Sequence, residues 1–332
     1  MHMADALVSP VTAGAMYACS AAVTAYSVKK VQGEDDLKKI PVMGVMGAFV
    51  FAAQMINFSI PGTGSSGHLC GGLLISALLG PYAGFLTMVT VLLIQCLLFA
   101  DGGLLALGAN AWNMAFYGCF IGSFLIWRPM MKKGFSRRKI VLASVIGCVV
   151  TLQLGAFSVT LETLASGISE LPFVAFVGFM QPIHLAIGLV EGLITAAVLV
   201  FVFQARPELL TGYQARQRGD SVFHEKAVLA FFAAAAVLIG CGLSLAASSK
   251  PDGLEWSMEK VAGTSGLETR FEESDIAGGI QELTAILPDY GLPYAESGVG
   301  TAVSGMVGII AVLCVCICWG FAFRFIKRKK AG

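Results

Sequence analysis

Met1 and His2 place three nitrogen donors in succession: the α-amine, the backbone nitrogen of His2 and its imidazole. Once the peptide nitrogen gives up its proton, the three can wrap one divalent cation in fused chelate rings lying in a plane. That arrangement suits tetragonal, nitrogen-preferring ions such as Ni(II) or Cu(II) better than tetrahedral Zn(II). One corner of the square stays open, and a lone donor from elsewhere could close it. The remaining histidines are His68, His184 and His224. A bulky second residue generally blocks removal of the initiator Met, so the amine is expected to stay in place. No basic n-region precedes the first apolar stretch, which reads on into a full-length span, so no cleaved leader is expected. The ordinary alternative is a chain start that merely carries a polar second residue.

The elements that must position these donors are apolar. The 332 residues are 56% hydrophobic and only 13% charged, with a mean hydropathy of +0.78. A soluble domain usually carries roughly 25% charged residues, so the composition implies an integral membrane protein. Apolar stretches of about 20 residues, enough to cross ~30 Å of hydrocarbon, recur along the chain. In lipid only helices or closed barrels satisfy the backbone, and runs without strict alternation choose helices. The expected fold is therefore an all-α, polytopic helical bundle with about nine transmembrane helices. The nine cysteines form no CxxC pair and read as small buried hydrophobes, Cys314, Cys316 and Cys318 included.

Spans are expected near 9–29, 40–58, 68–80, 83–100, 108–129, 139–161, 174–204, 226–247 and 298–324. The third is short and reads as partly embedded in protein. An odd number puts the two ends on opposite sides, and basic residues decide which. Lys29, Lys30, Lys38 and Lys39 follow the first span; Arg128, Lys132, Lys133, Arg137, Arg138 and Lys139 follow the fifth. Arg206, Arg216, Arg218 and Lys226 follow the seventh, and Arg324 with Lys327, Arg328, Lys329 and Lys330 close the chain. Of the 22 basic residues only Lys250, Lys260 and Arg270 fall on the other face. The basic face is cytoplasmic by the positive-inside rule, which predicts an external N-terminus and a cytoplasmic C-terminus. On that map Met1, His2 and His68 can meet outside, and His224 cannot join them.

Polar residues within apolar spans are costly and are candidates for function. His184 and Glu191, seven apart, share one helix face. They read either as a second shell to the metal donors or as hydrogen-bonding groups that fix neighbouring helices. Gln95, Asp101, Asn110 and Asn113 cluster around the outer turn between the fourth and fifth spans. A supporting role around the metal and ordinary interhelical hydrogen bonding are both open to them. The outer segment, about 248–297, carries ten acidic residues from Asp252 to Glu296 against three basic ones, and an acidic surface can concentrate cations near an entrance.

The stretch AAQMINFSIPGTGSSGHLCGG, the run QCLLFADGG, the LGAN at 107–110 and HLAIGLVEGLIT from His184, together with the opening MHMADALVSP, closely resemble the NikM/CbiM family. These are the substrate-binding membrane components of energy-coupling-factor nickel and cobalt transporters. From about residue 226 the chain is similar to the NikN/CbiN accessory component, with PDGLE at 251–255. The expected division is 1–222 for the metal-capturing part and 223–332 for the accessory part. The resemblance implies a metal held by the Met1 amine, the His2 backbone nitrogen and imidazole, and His68. It also implies partners, a transmembrane coupling protein and ATPase subunits, with a small-residue helix face such as Ala48 and Ala52 docking against the former. Packing within the chain is the other reading of that pair. Met3-Ala4 departs from the family's usual Ile-Pro or Ile-Met, at positions that offer no donor.

No GxxxxGK[ST] phosphate loop occurs, so ATP hydrolysis would lie on other chains. No HExxH or Ser/His/Asp order marks a hydrolase, and neither a resident cofactor nor a nucleic-acid partner is expected. The reading is a non-enzymatic membrane component, in the cell membrane and surrounded by lipid, that captures Ni(II), or alternatively Co(II), outside and delivers it inward. A membrane enzyme using His184 and Glu191, or an organic-vitamin binder indifferent to His2, are the competing classes.

Overall fold

The computed structural model describes residues 1–33, 39–213, 224–292 and 297–331; Lys38, Arg216, Arg218 and Glu296, and the division expected at 222/223, lie outside them. The chain begins with a buried segment containing a 3₁₀ turn at Asp5–Leu7. The first group of helices comprises α1 (Pro10–Gly33), α2 (Lys39–Gln54), α3 (Gly72–Leu79) and α4 (Pro81–Phe99). Next comes α5, one rod running through Leu107–Asn110, a π-wound middle at Ala111–Trp127, and Arg128–Met131. Then follow α6 (Arg137–Ala165), α7 (Phe173–Ala205) and α8 (Glu225–Cys241). Two shorter helices, α9 (Gly253–Ala262) and α10 (Glu272–Thr284), precede the last, α11 (Ser297–Ala331). A small antiparallel hairpin, β1 (Phe58–Ser59) and β2 (Ser66–Gly67), pairs Phe58 with Gly67.

Five helices among the described residues are long and apolar enough to cross a membrane: α1, α4, α6, α7 and the Gly298–Ala322 part of α11. The surface agrees with a lipid surround, since α6 and α7 expose Leu142, Ile146, Leu185, Leu189 and Leu193, a face water would not tolerate. The protein is a multi-pass, all-helical membrane protein.

All eight residues of α3 are buried, so this element is wrapped in protein rather than lipid. It is admitted by a glycine contact: a methyl group on Gly72 would sit 3.0 Å from the Gly118 Cα of α5. The segment at about 248–297, read from sequence only as an acidic outer loop, contains α9 and α10. Asp252 caps α9 in a reciprocal box with Glu255, its Oδ1 accepting from the Leu254 and Glu255 amides at 2.8 and 2.9 Å.

The small-residue face of α2 is filled by the chain itself. Ala48 and Ala52 are 1% and 0% exposed, and a methyl on Gly240 of α8 would lie 3.4 Å from Ala52 Cβ. Of the two roles weighed for this pair, packing within the chain is the one observed. Cys316 is buried while Cys314 and Cys318 are exposed, so the three do not face one site.

Candidate metal site

The chain start is pulled inside by backbone hydrogen bonds. Asn110 Oδ1 accepts from the Met3 amide at 2.7 Å and its Nδ2 donates to the Met3 carbonyl at 3.1 Å, so one side chain matches both backbone groups of a residue 107 positions away. The Gly103 amide donates to the same carbonyl at 2.8 Å. Asp5 then accepts from the Ala106 amide at 3.0 Å. Asn110 therefore clamps the backbone of the N-terminal segment.

This threading carries the Met1 amine to His68. The amine lies 3.1 Å from His68 Nε2 and donates to Asp252 Oδ2 at 2.5 Å. The other nitrogen of His68, Nδ1, donates to the Leu69 carbonyl at 3.0 Å, which fixes the tautomer and leaves the Nε2 lone pair facing the amine. Burial, the amine and His2 hold the His68 imidazole down to about 3, so it is neutral at ordinary pH. Asp252 goes the other way: burial alone would raise its carboxyl, but the amine and His68 prevail and keep it below the usual carboxylate range.

His2 stacks on His68, ring centroids 5.3 Å apart and 20° from parallel. Its Nδ1 lies 3.1 Å from Asp101 Oδ1 and its Nε2 lies 3.2 Å from Gln95 Oε1. Burial lowers the proton affinity of this ring against the pull of Asp101. A neutral ring has one proton for two acceptors, and the carboxylate is the stronger. Both acceptors are themselves held: Tyr290 donates to Asp101 at 2.6 Å, and Gln95 Nε2 donates to Gln54 Oε1 at 2.9 Å.

The remaining expected residues are not hydrogen-bonded to Met1, His2 or His68, apart from those just named. His184 is buried and lines a small cavity together with Met1 and His68, its Nδ1 bonded to the Met180 carbonyl at 2.8 Å. Glu191 is not bonded to His184; it accepts from the Cys70 and Gly71 amides, each at 3.0 Å. Asn113 donates to Glu162 at 2.7 Å. His224 is an exposed residue at the start of α8, away from the cluster.

Sequence reasoning did not single out Asp252, Gln54 or Tyr290. Asp252 carried a usable signal, since Asp-x-x-Glu at 252–255 is the spacing of a capping box. Nothing local pointed to its second oxygen meeting a residue 251 positions earlier. Among the described residues no three His, Cys, Asp or Glu side chains form a group able to hold a metal ion.

The profile of the family described as cobalt uptake substrate-specific transmembrane region, CbiM, matches residues 2–209. The chain belongs to the CbiM family. The PDGLE domain profile matches residues 226–325, so the CbiM region is fused to a CbiN-like one. A provisionally named fused nickel transport protein, NikMN, of Archaeoglobus fulgidus is 36% identical over 99% of both chains. The fused nickel transport protein NikMN of Rhodobacter capsulatus is 28% identical, covering 94% of this chain and 95% of that one. A crystal structure described as a truncated transition metal transporter aligns with TM-score 0.54 and 34% identity, over 61% of this chain and 98% of the other. The CbiM-family chain is thus a nickel or cobalt transport component rather than an enzyme.

Proposed function

We propose that the chain captures Ni(II) on the outer face of the cell membrane and passes it inward, with residues 1–222 holding the ion and 223–332 covering it. The ligands are the Met1 amine, the His2 backbone nitrogen and Nδ1, and His68 Nε2. The observation that carries this reading is the Met1 amine lying 3.1 Å from a neutral, correctly oriented His68 Nε2. When Nδ1 of His2 takes the metal, its proton has a place to go, because Gln95 Oε1 already faces Nε2. Gln95 and Asp101 are positioning residues for that ring, and Asn110 positions the backbone that carries it.

A planar nitrogen set favours Ni(II). Co(II) is the second reading, favoured by the family's description as a cobalt uptake region. Nine membrane crossings, with the amine outside and the C-terminus in the cytoplasm, agree with the distribution of Lys and Arg. Energy comes from ATP hydrolysis on separate ATPase subunits through a transmembrane coupling protein. The test is metal analysis of untagged protein purified after exposure to a mixture of divalent ions. One nickel per chain, absent from His68→Ala, is expected; a chain that returns metal-free overturns the reading.

A further inference from the structure

Capture leaves one buried histidine without a task. His184, on α7, is 1% exposed. Its Nδ1 lies 2.8 Å from the Met180 carbonyl, which can only accept, so Nδ1 carries the proton and Nε2 keeps its lone pair. No donor among the described residues is hydrogen-bonded to Nε2. An acceptor without a hydrogen-bond partner on so enclosed a residue raises the question of what it faces.

It faces a cavity of about 10 Å³ whose wall also includes Met1, His68 and Asp252, space for one water-sized particle. Gly253 of α9 closes it: a methyl there would come 3.0 Å from His184 Cε1 and 3.2 Å from Nε2. The cavity reaches Cys70 and Leu152. The same two residues line a second cavity of about 10 Å³, whose wall includes Asn113, Thr151 and Glu191. Two small chambers thus share a wall, the first beside the chain start and the second beside Glu191.

We propose that Nε2 of His184 is a second docking point for the transported ion, one step inward from the capture site. The proposal rests on the capture reading above and adds no ligand to it. A neutral imidazole suits the same borderline metals. A single imidazole binds weakly, and a transit point must release what it accepts. The ion leaves the four nitrogens, engages Nε2 in the first chamber, and passes between Cys70 and Leu152 into the second.

The test compares the unaltered chain with His184→Phe, which keeps a ring in the wall and removes the lone pair. Ni(II) binding is measured on the purified chain, and Ni(II) accumulation in proteoliposomes that also hold its coupling and ATPase subunits. Binding within about threefold of the unaltered chain and accumulation slower by about tenfold or more are expected. His184→Cys, which returns a soft donor, is expected to recover accumulation; no recovery points to a damaged wall and overturns the proposal. Unchanged accumulation in His184→Phe overturns it and leaves capture standing. Binding lost in both variants overturns it too, because His184 would then belong to the capture site. Should His184→Phe not fold, His184→Ala carries the same comparison. An unaltered chain that binds no nickel overturns the capture reading and this proposal together.

Discussion

The Met1 amine and His68 Nε2 are 3.1 Å apart across 67 residues of sequence. The amine also donates to Asp252 across 251. One nitrogen at the end of the chain therefore joins the first part, the loop before α3 and the accessory part. Adding a single residue before Met1 turns that amine into an amide, which is a poor donor to metals while it keeps its proton and has no charge to pair with Asp252. Nickel affinity, measured by titration of the extended protein, is expected to fall by at least about 100-fold, or ~2.8 kcal/mol. Undiminished affinity would refute the chelate.

His68→Ala removes the fourth donor without touching the other three. The ion then completes its square with water, and capture is expected to weaken by about 100-fold or more. His224→Ala is the control, because His224 is an exposed residue at the start of α8. Calorimetry on both variants checks the pair, and equal losses would disprove the assignment.

Proton release follows from which groups are already neutral. Burial holds His68 at about 3 and lowers His2, so at neutral pH neither imidazole has a proton to give up. The ammonium of Met1 and the peptide nitrogen of His2 each must lose one. Two protons per nickel are expected, and affinity falls as pH falls because protons and metal compete for the same lone pairs. Calorimetry in buffers of different ionisation enthalpy counts them. A count near four would mean charged imidazoles in the metal-free protein.

Much of this was legible in the residues. That Met1 and His2 come together with His68 and apart from His224 was expected from donor types and the distribution of Lys and Arg. The apolar stretches foretold the long helices to within a few residues, with the eighth ending early at Cys241. Asp252 was not legible as a partner of the amine, because a capping box speaks for α9 alone and its free oxygen meets Met1 only through the tertiary fold. For Ala48 and Ala52 the same limit applied: small-residue spacing shows that a helix approaches and leaves its identity open. At Ala52 that helix is α8.

Asp252 sees nearly the same charge with and without metal. The ammonium carries one positive charge; a divalent ion bound to a neutral amine and a deprotonated peptide nitrogen also leaves one. Asp252→Asn keeps an oxygen for the cap and is expected to change nickel affinity by less than about tenfold. Asp252→Ala loses the cap of α9 as well, at a cost of about 1 kcal/mol. Thermal stability should therefore separate the two variants, while their affinities stay close. A Kd raised a thousandfold in Asp252→Asn would instead make the carboxylate a ligand.

Glu191 holds the backbone that leads into α3. From α7 its two oxygens take the Cys70 and Gly71 amides, the two residues that lead into α3. Both amides lie just ahead of the first turn of α3, and another helix supplies their acceptors. His68 stands two residues earlier on the same strand of backbone. Glu191→Ala leaves both buried amides unpaired, at about 1–3 kcal/mol each. The loop that presents His68 then loosens, and nickel affinity is expected to drop by about 10- to 100-fold although no donor has been removed. Glu191→Gln retains one accepting oxygen and should fall between Glu191→Ala and the unaltered chain in both stability and affinity. Glu191→Ala with full affinity and lowered stability would restrict the residue to holding α3, and full values of both would remove it from the site altogether.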